Sequence, residues 1–146
     1  HRLQVMDCRG IYVLNDAYNA NADSMLAALQ TLRDFPCAGQ RWAVLGDMAE
    51  LGANTAQAHR EVGQRTAELG VDRLIAVGTW ARITAEAARA AGLSEAVVCD
   101  DVPAAVGAVR ALVQPGDVVL IKASRVVGLE RIGDELACGH PRSAVA

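Results

Sequence analysis

Along the chain, short runs of consecutive apolar residues alternate with longer stretches in which apolar residues recur every three or four positions. The first pattern suits strands buried on both faces and the second suits helices with one buried face. Their alternation is the pattern of a parallel-sheet α/β layer. The strand-type runs are Trp42-Ala43-Val44-Leu45, Leu74-Ile75-Ala76-Val77, Ala96-Val97-Val98 and Val118-Val119-Leu120-Ile121. The last is β-branched and wholly apolar, as a central parallel strand should be, and it delivers Lys122 to its C-terminal end.

Met25, Leu26, Leu29, Leu32 and Phe35 predict an amphipathic helix that opens at a cap, Asn21 or Asp23, and closes at Pro36 and Gly39. A second helix runs from a candidate cap at Asn54 to Leu69, with Gly70 in the position of an αL C-terminal residue. Thr79 to Ala91 gives a third, closed by Gly92. Asp100 or Asp101 starts a fourth, which tolerates Pro103 in its first turn and ends before Pro115-Gly116. The chain opens with Leu3–Met6, a turn at Cys8-Arg9-Gly10 and then Ile11–Leu14, a hairpin or an edge strand. Val127 to Leu136 reads as a last short helix, so the domain is expected over 1–137 with a tail at 138–146. The expected architecture is a single three-layer, Rossmann-like α/β domain: a mostly parallel sheet of about six strands with helices on both faces.

Composition narrows the function classes. With 146 residues, 52% of them apolar and 21% charged, one core suffices, and no metal or disulfide staple is needed. The net charge of -3 is spread over both signs, with no basic run and no aromatic-basic interleaving, which argues against a nucleic-acid partner. No apolar stretch approaches the roughly 20 residues of a membrane-spanning helix, and the N-terminus lacks a signal-peptide pattern. Cys8, Cys37, Cys99 and Cys138 form no C-x-x-C pair and read as reduced, structural thiols in a cytoplasmic setting.

Ligands of open α/β sheets bind beyond the carboxyl ends of the strands, beside helix N-termini whose free N–H groups favour anions. Three polar clusters follow strands and would share that rim. Asn15-Asp16-Ala17-Tyr18-Asn19-Ala20-Asn21 combines an acid, an aromatic ring and three amides. That mix suits ribose hydroxyls and an adenine ring, and equally an Asx-rich turn that only caps a helix; Asn21 is the more natural cap. Lys122-Ala123-Ser124-Arg125 offers two cations before a helix start, a carboxylate or phosphate site in preference to two solvated charges. Gly46-Asp47-Met48-Ala49-Glu50-Leu51-Gly52 brings Asp47 and Glu50, for a substrate amine or to balance those cations. His59, one turn into the following helix, reads as a surface or capping-region histidine, and Trp80 as a packing residue. No P-loop, no G-x-G-x-x-G fingerprint, no Ser-His-Asp arrangement and no H-E-x-x-H motif is present.

Taken together, Asn15 to Met25, Leu45 to Gly52, and Lys122-Ala123-Ser124-Arg125 with Gly128-Leu129-Glu130 resemble the C-terminal domain of the MurF group of Mur ligases, over about Arg2 to Leu136. The chain departs from that pattern at Asn15, where the family usually has Asp, at Ala22, where it has Pro, and at Ala123, where it has Gly. The resemblance implies an ATP-dependent ligase of peptidoglycan synthesis, which adds D-alanyl-D-alanine to the UDP-N-acetylmuramoyl tripeptide through an acyl phosphate, with magnesium. It implies a ribose-facing Asp16, with Tyr18, Asn19 and Asn21 near the nucleotide, and Asp47, Glu50, Lys122, Ser124 and Arg125 facing the substrates. It implies that ATP and magnesium sit mainly on a central domain, so this piece alone would be inactive. The alternatives are a free-standing nucleotide- or peptide-binding module, or the matching domain of a MurE-type or folylpolyglutamate-type ligase. The Tyr18-Asn19-Ala20-Asn21 run argues against the latter.

Overall fold

A computed structural model of the chain describes residues 3–16, 21–49 and 52–122. The expected last helix at 127–136 and the tail at 138–146 lie outside them. Two strands open the fold, β1 (Gln4–Cys8) and β2 (Ile11–Asn15), paired antiparallel as a hairpin. Arg9 and Gly10 both take positive φ, 59° and 86°, the geometry of a two-residue turn whose twist matches the flanking strands. The chain then alternates α1 (Ala22–Asp34), β3 (Arg41–Leu45), α2 (Thr55–Glu68), β4 (Arg73–Val77), α3 (Ala81–Ala90), β5 (Ala96–Cys99), α4 (Val102–Leu112) and β6 (Val118–Lys122).

The six strands form one sheet in the order β1-β2-β6-β3-β4-β5, parallel except for β1 at one edge. The all-apolar run 118–121 lies between β2 and β3, and every residue of β6 is buried. Side-chain alternation divides its residues between two cores. Val118 and Leu120 join Leu14, Leu45 and Leu74 under α1, α2 and α3. Val119 and Ile121 join Val13, Val44 and Ile75 under α4. The three-layer arrangement expected from the sequence is therefore present, with α1 to α3 on one face and α4 on the other.

Side-chain caps set the starts of α1 and α4 but not those of α2 and α3, and α3 begins at Ala81, two residues after the expected Thr79. Asn21 closes a reciprocal capping box with Ser24, and Asp101 accepts from the Ala104 amide with Pro103 in the first turn. Asn54 occupies the cap position of α2 but makes no side-chain cap bond. A 3-10 turn at Gly52–Asn54 precedes the helix, and Thr55 Oγ donates to the Gly52 carbonyl at 2.7 Å, tying that turn to the first helical residue. Among the described residues no helix is long and apolar enough to cross a membrane.

Candidate functional site

Because β2, β6, β3 and β4 run parallel, their C-terminal ends lie along one edge of the sheet. Backbone pairing continues past the strands there: the Asp16 amide donates to the Ile121 carbonyl and the Gly46 amide to the Lys122 carbonyl, both at 2.9 Å. Each loop therefore begins from a fixed residue. By alternation Asp16 and Lys122 point to the face carried by Leu14 and Leu120, the side covered by α1.

There they meet. Lys122 is 0% exposed, and its ammonium lies 3.1 Å from Asp16 Oδ2 and donates to the Asp16 carbonyl at 3.2 Å. Asp16 is 7% exposed, and among the described residues its Oδ1 has no hydrogen-bond partner. The buried Lys122 ammonium is thus paired with Asp16, a contact the sequence reading does not foresee. Asp16 supplies a balancing negative charge beside it, a partner the sequence reading does not name. A buried ammonium requires a close opposite charge, and Asp16 is the carboxylate on the adjacent strand end. Asp16 also lines a cavity of about 190 Å³ with Leu3, Ser24, Ala27, Ala28 and Thr31, alongside α1. A larger cavity of about 330 Å³, lined by Arg60, Gln64, Ala87, Ala90 and Ala91, contains no residue of the strand-exit loops.

A second polar cluster ties two of the loops together. Asp47 Oδ2 accepts from the Thr79 amide at 2.9 Å and Oδ1 from the Trp80 amide at 3.0 Å, so this carboxylate caps the approach to α3. The carboxyl packs against Gly78, where an added Cβ would stand 2.7 Å from it and where φ is +118°. Both oxygens thus have partners within the fold, and the side chain anchors the β4–α3 loop to the β3–α2 loop.

His59, expected at the surface or in the capping region, is 2% exposed and sits in the first turns of α2, so of the two expectations the surface one does not hold. Its Nε2 accepts from the Met48 amide at 3.1 Å, so the proton sits on Nδ1, which lies 2.7 Å from the Thr55 carbonyl. The ring stacks on the half-buried Trp80, with centroids 5.7 Å apart. A signal for this was present in the sequence: Ala58, His59, Val62, Gly63 and Thr66 share the buried face of α2 at helical spacing.

Of the remaining expected residues, Asn21 spends its side-chain oxygen on the Ser24 amide at 2.9 Å, as the cap of α1. Tyr18, Asn19, Glu50, Ser124 and Arg125 lie outside the described residues. Burial pushes the Cys99 thiol above its ordinary value, and the carboxylates of Asp100 and Asp101 add to that shift. Cys37 and Cys99 are free thiols.

Comparison with known proteins gives this geometry a context. Residues 1–125 match the model of the Mur ligase family described as "Mur ligase, glutamate ligase domain". The chain is 44% identical to the UDP-N-acetylmuramoyl-tripeptide–D-alanyl-D-alanine ligase of Mycobacterium leprae, covering 93% of this chain and 30% of that one. Among solved structures it is similar to MurF from Acinetobacter baumannii (TM-score 0.79, 28% identity, 93% of this chain and 30% of that one). It is also similar to the MurF ligase of Thermotoga maritima in complex with ADP (TM-score 0.71, 29% identity, 90% of this chain and 29% of that one). The chain spans about a third of the length of these relatives. With the family model covering most of its length and the fold similar to that of solved MurF structures, the chain belongs to the Mur ligase family.

Proposed function

We propose that this chain is the cleft-closing domain of an ATP-dependent ligase that joins D-alanyl-D-alanine to the UDP-N-acetylmuramoyl tripeptide in peptidoglycan synthesis, in the cytoplasm. The observation that carries the reading is the buried Asp16 carboxylate at the strand-exit rim, with one oxygen on Lys122 and the other without a partner among the described residues. A buried acceptor of that kind suits a ribose hydroxyl, a neutral donor that needs no further charge. The choice of amide ligase follows the names of the relatives.

In this reading a carboxylate oxygen of the tripeptide attacks the γ-phosphorus of ATP, and ADP leaves. The dipeptide amine then attacks the acyl carbon, phosphate departs with the C–O bonding electrons, and the amine gives up its proton. The chain has no P-loop, so the ATP phosphates and their magnesium fall to the part of the relatives beyond this chain. Among the described residues no trio of His, Cys, Asp or Glu converges to hold an ion. What this domain contributes is closure: Asp16 at the ribose, with Tyr18, Asn19 and Asn21 beside the nucleotide, and Asp47, Glu50, Ser124 and Arg125 lining the side toward the substrates. Closure orders the reactants and keeps water from the activated acyl group.

The test is phosphate release by the full-length parent and by this chain alone, with tripeptide precursor, ATP and D-alanyl-D-alanine. Release by the parent only, dependent on both peptide substrates, is the expected result. An inactive parent, with nucleotide or peptide held tightly by the isolated chain, would replace the reading with a binding module.

A further inference from the structure

We propose that Lys122 is a positioning residue for nucleotide recognition, acting through Asp16. The proposal rests on the reading above, in which Asp16 faces the ribose. A lysine stem normally carries its ammonium out to water. Here the whole side chain is buried at the end of the central strand, and the ammonium grips Asp16 twice, on Oδ2 at 3.1 Å and on the backbone carbonyl at 3.2 Å. The first contact sets the carboxylate's rotation and the second sets the peptide plane that carries it. A third constraint is the Asp16 amide on the Ile121 carbonyl, one residue before Lys122 on the same strand. The carboxylate is therefore held at both ends by the adjacent strand.

Two consequences follow for the ligand. Among the described residues Oδ1 is the Asp16 oxygen without a partner, so it is the acceptor open to an incoming donor. The ammonium also offsets the carboxylate charge locally, which removes the attraction for a substrate amine or a metal ion and leaves a neutral hydroxyl as the fitting partner. Lys122 in this account never touches the nucleotide, the dipeptide or the reacting atoms.

The experiment uses the full-length parent enzyme and compares ATP with 2′-deoxy-ATP and 3′-deoxy-ATP. In the wild type at least one deoxy analogue is expected to raise KM by about five- to tenfold, the worth of one hydrogen bond. Lys122→Met keeps the stem and removes the ammonium. It is expected to raise KM for ATP by a similar factor, to abolish the discrimination against the deoxy analogue, and to leave KM for D-alanyl-D-alanine unchanged. The double variant Asp16→Asn/Lys122→Met removes both charges and restores folding if the single variant loses it. A purely structural pair predicts that this double variant still discriminates, since Asn keeps an acceptor oxygen; the positioning role predicts that it does not. Discrimination retained in Lys122→Met or in the double variant overturns the inference and leaves the ribose reading standing. A wild type indifferent to both deoxy analogues overturns the ribose reading itself, and the inference with it.

Discussion

His59 offers the sharpest test of how the rim is held. Replacing it with alanine removes the acceptor for the Met48 amide and the donor to the Thr55 carbonyl. Met48 is itself buried, so its N–H is left without water, at a cost of about 1–3 kcal/mol for an orphaned buried donor. Loss of the ring's stacking on Trp80 adds about 0.5–1.5 kcal/mol. The total, about 1.5–4.5 kcal/mol, is a large part of the roughly 5–15 kcal/mol that keeps a domain folded. The assay is urea unfolding of the chain followed by circular dichroism, comparing midpoints at constant m-value. Amide exchange should accelerate most at Met48, and next at Thr79 and Trp80, which share the Asp47 clamp. A loss below about 1 kcal/mol, or unchanged exchange at Met48, would refute the claim that the imidazole braces this loop.

Three other perturbations follow from the packing. Gly63→Ala drives a methyl group into the Thr84 carbonyl where α2 meets α3, and should lower stability by about 2–3 kcal/mol in the same unfolding assay; a neutral result would mean the helices separate freely. Asp117→Ala strands the Gln40 and Gln114 amides and the Trp42 indole N–H, for about 3–5 kcal/mol, whereas Asp117→Asn keeps one acceptor oxygen and should cost less; equal losses would contradict this. Cys99, its folded-state pKa raised by burial and then by Asp100 and Asp101, stabilises the fold at pH values below the ordinary thiol pKa, and that contribution is lost as pH rises through the raised value. Its alkylation by iodoacetamide at pH 8, read by peptide mapping, should run at least about tenfold slower in the folded chain than in urea; equal rates would refute it.

The elements were legible in the sequence because they rest on local rules. Apolar runs of four residues marked β3, β4 and β6, and the caps Asn21 and Asp101 stand directly before α1 and α4. That Asp16, Asp47 and Lys122 stand at or just past strand ends was legible too, since the apolar runs fix where each strand stops. Side-chain partners across the sheet were not. Lys122 and Asp16 are 106 residues apart, and nothing local distinguishes a lysine that turns inward from one that reaches for an anion. Asp117, 3% exposed, looks in sequence like a turn residue after Pro115-Gly116, yet it accepts from Gln40 and Trp42 on the neighbouring strand and its approach. His59 is an intermediate case: its place on the buried face of α2 was readable, but the Met48 amide that accounts for its burial was not.

The two buried carboxylates of this sheet differ in a way that bears on function. Asp117, at the edge where β6 begins, has three donors on its two oxygens within the described residues, two of them backbone amides and one an indole N–H. Asp16, at the opposite edge, shares one oxygen with Lys122 and leaves the other without a partner among the described residues. The same fold therefore can satisfy a buried carboxylate fully, and at Asp16 it leaves one oxygen open. An unmade hydrogen bond of that kind costs about 1–3 kcal/mol, and such groups in folded proteins call for an explanation. The hydroxyls that share a cavity wall with Asp16 are engaged elsewhere, Ser24 on the Asn21 carbonyl and Thr31 on the Ala27 carbonyl. The cost is understandable if the oxygen's partner arrives with a ligand, because an acceptor already saturated by the protein has nothing left to offer a hydroxyl. The functional edge of the sheet is then the edge where its polar satisfaction is left incomplete.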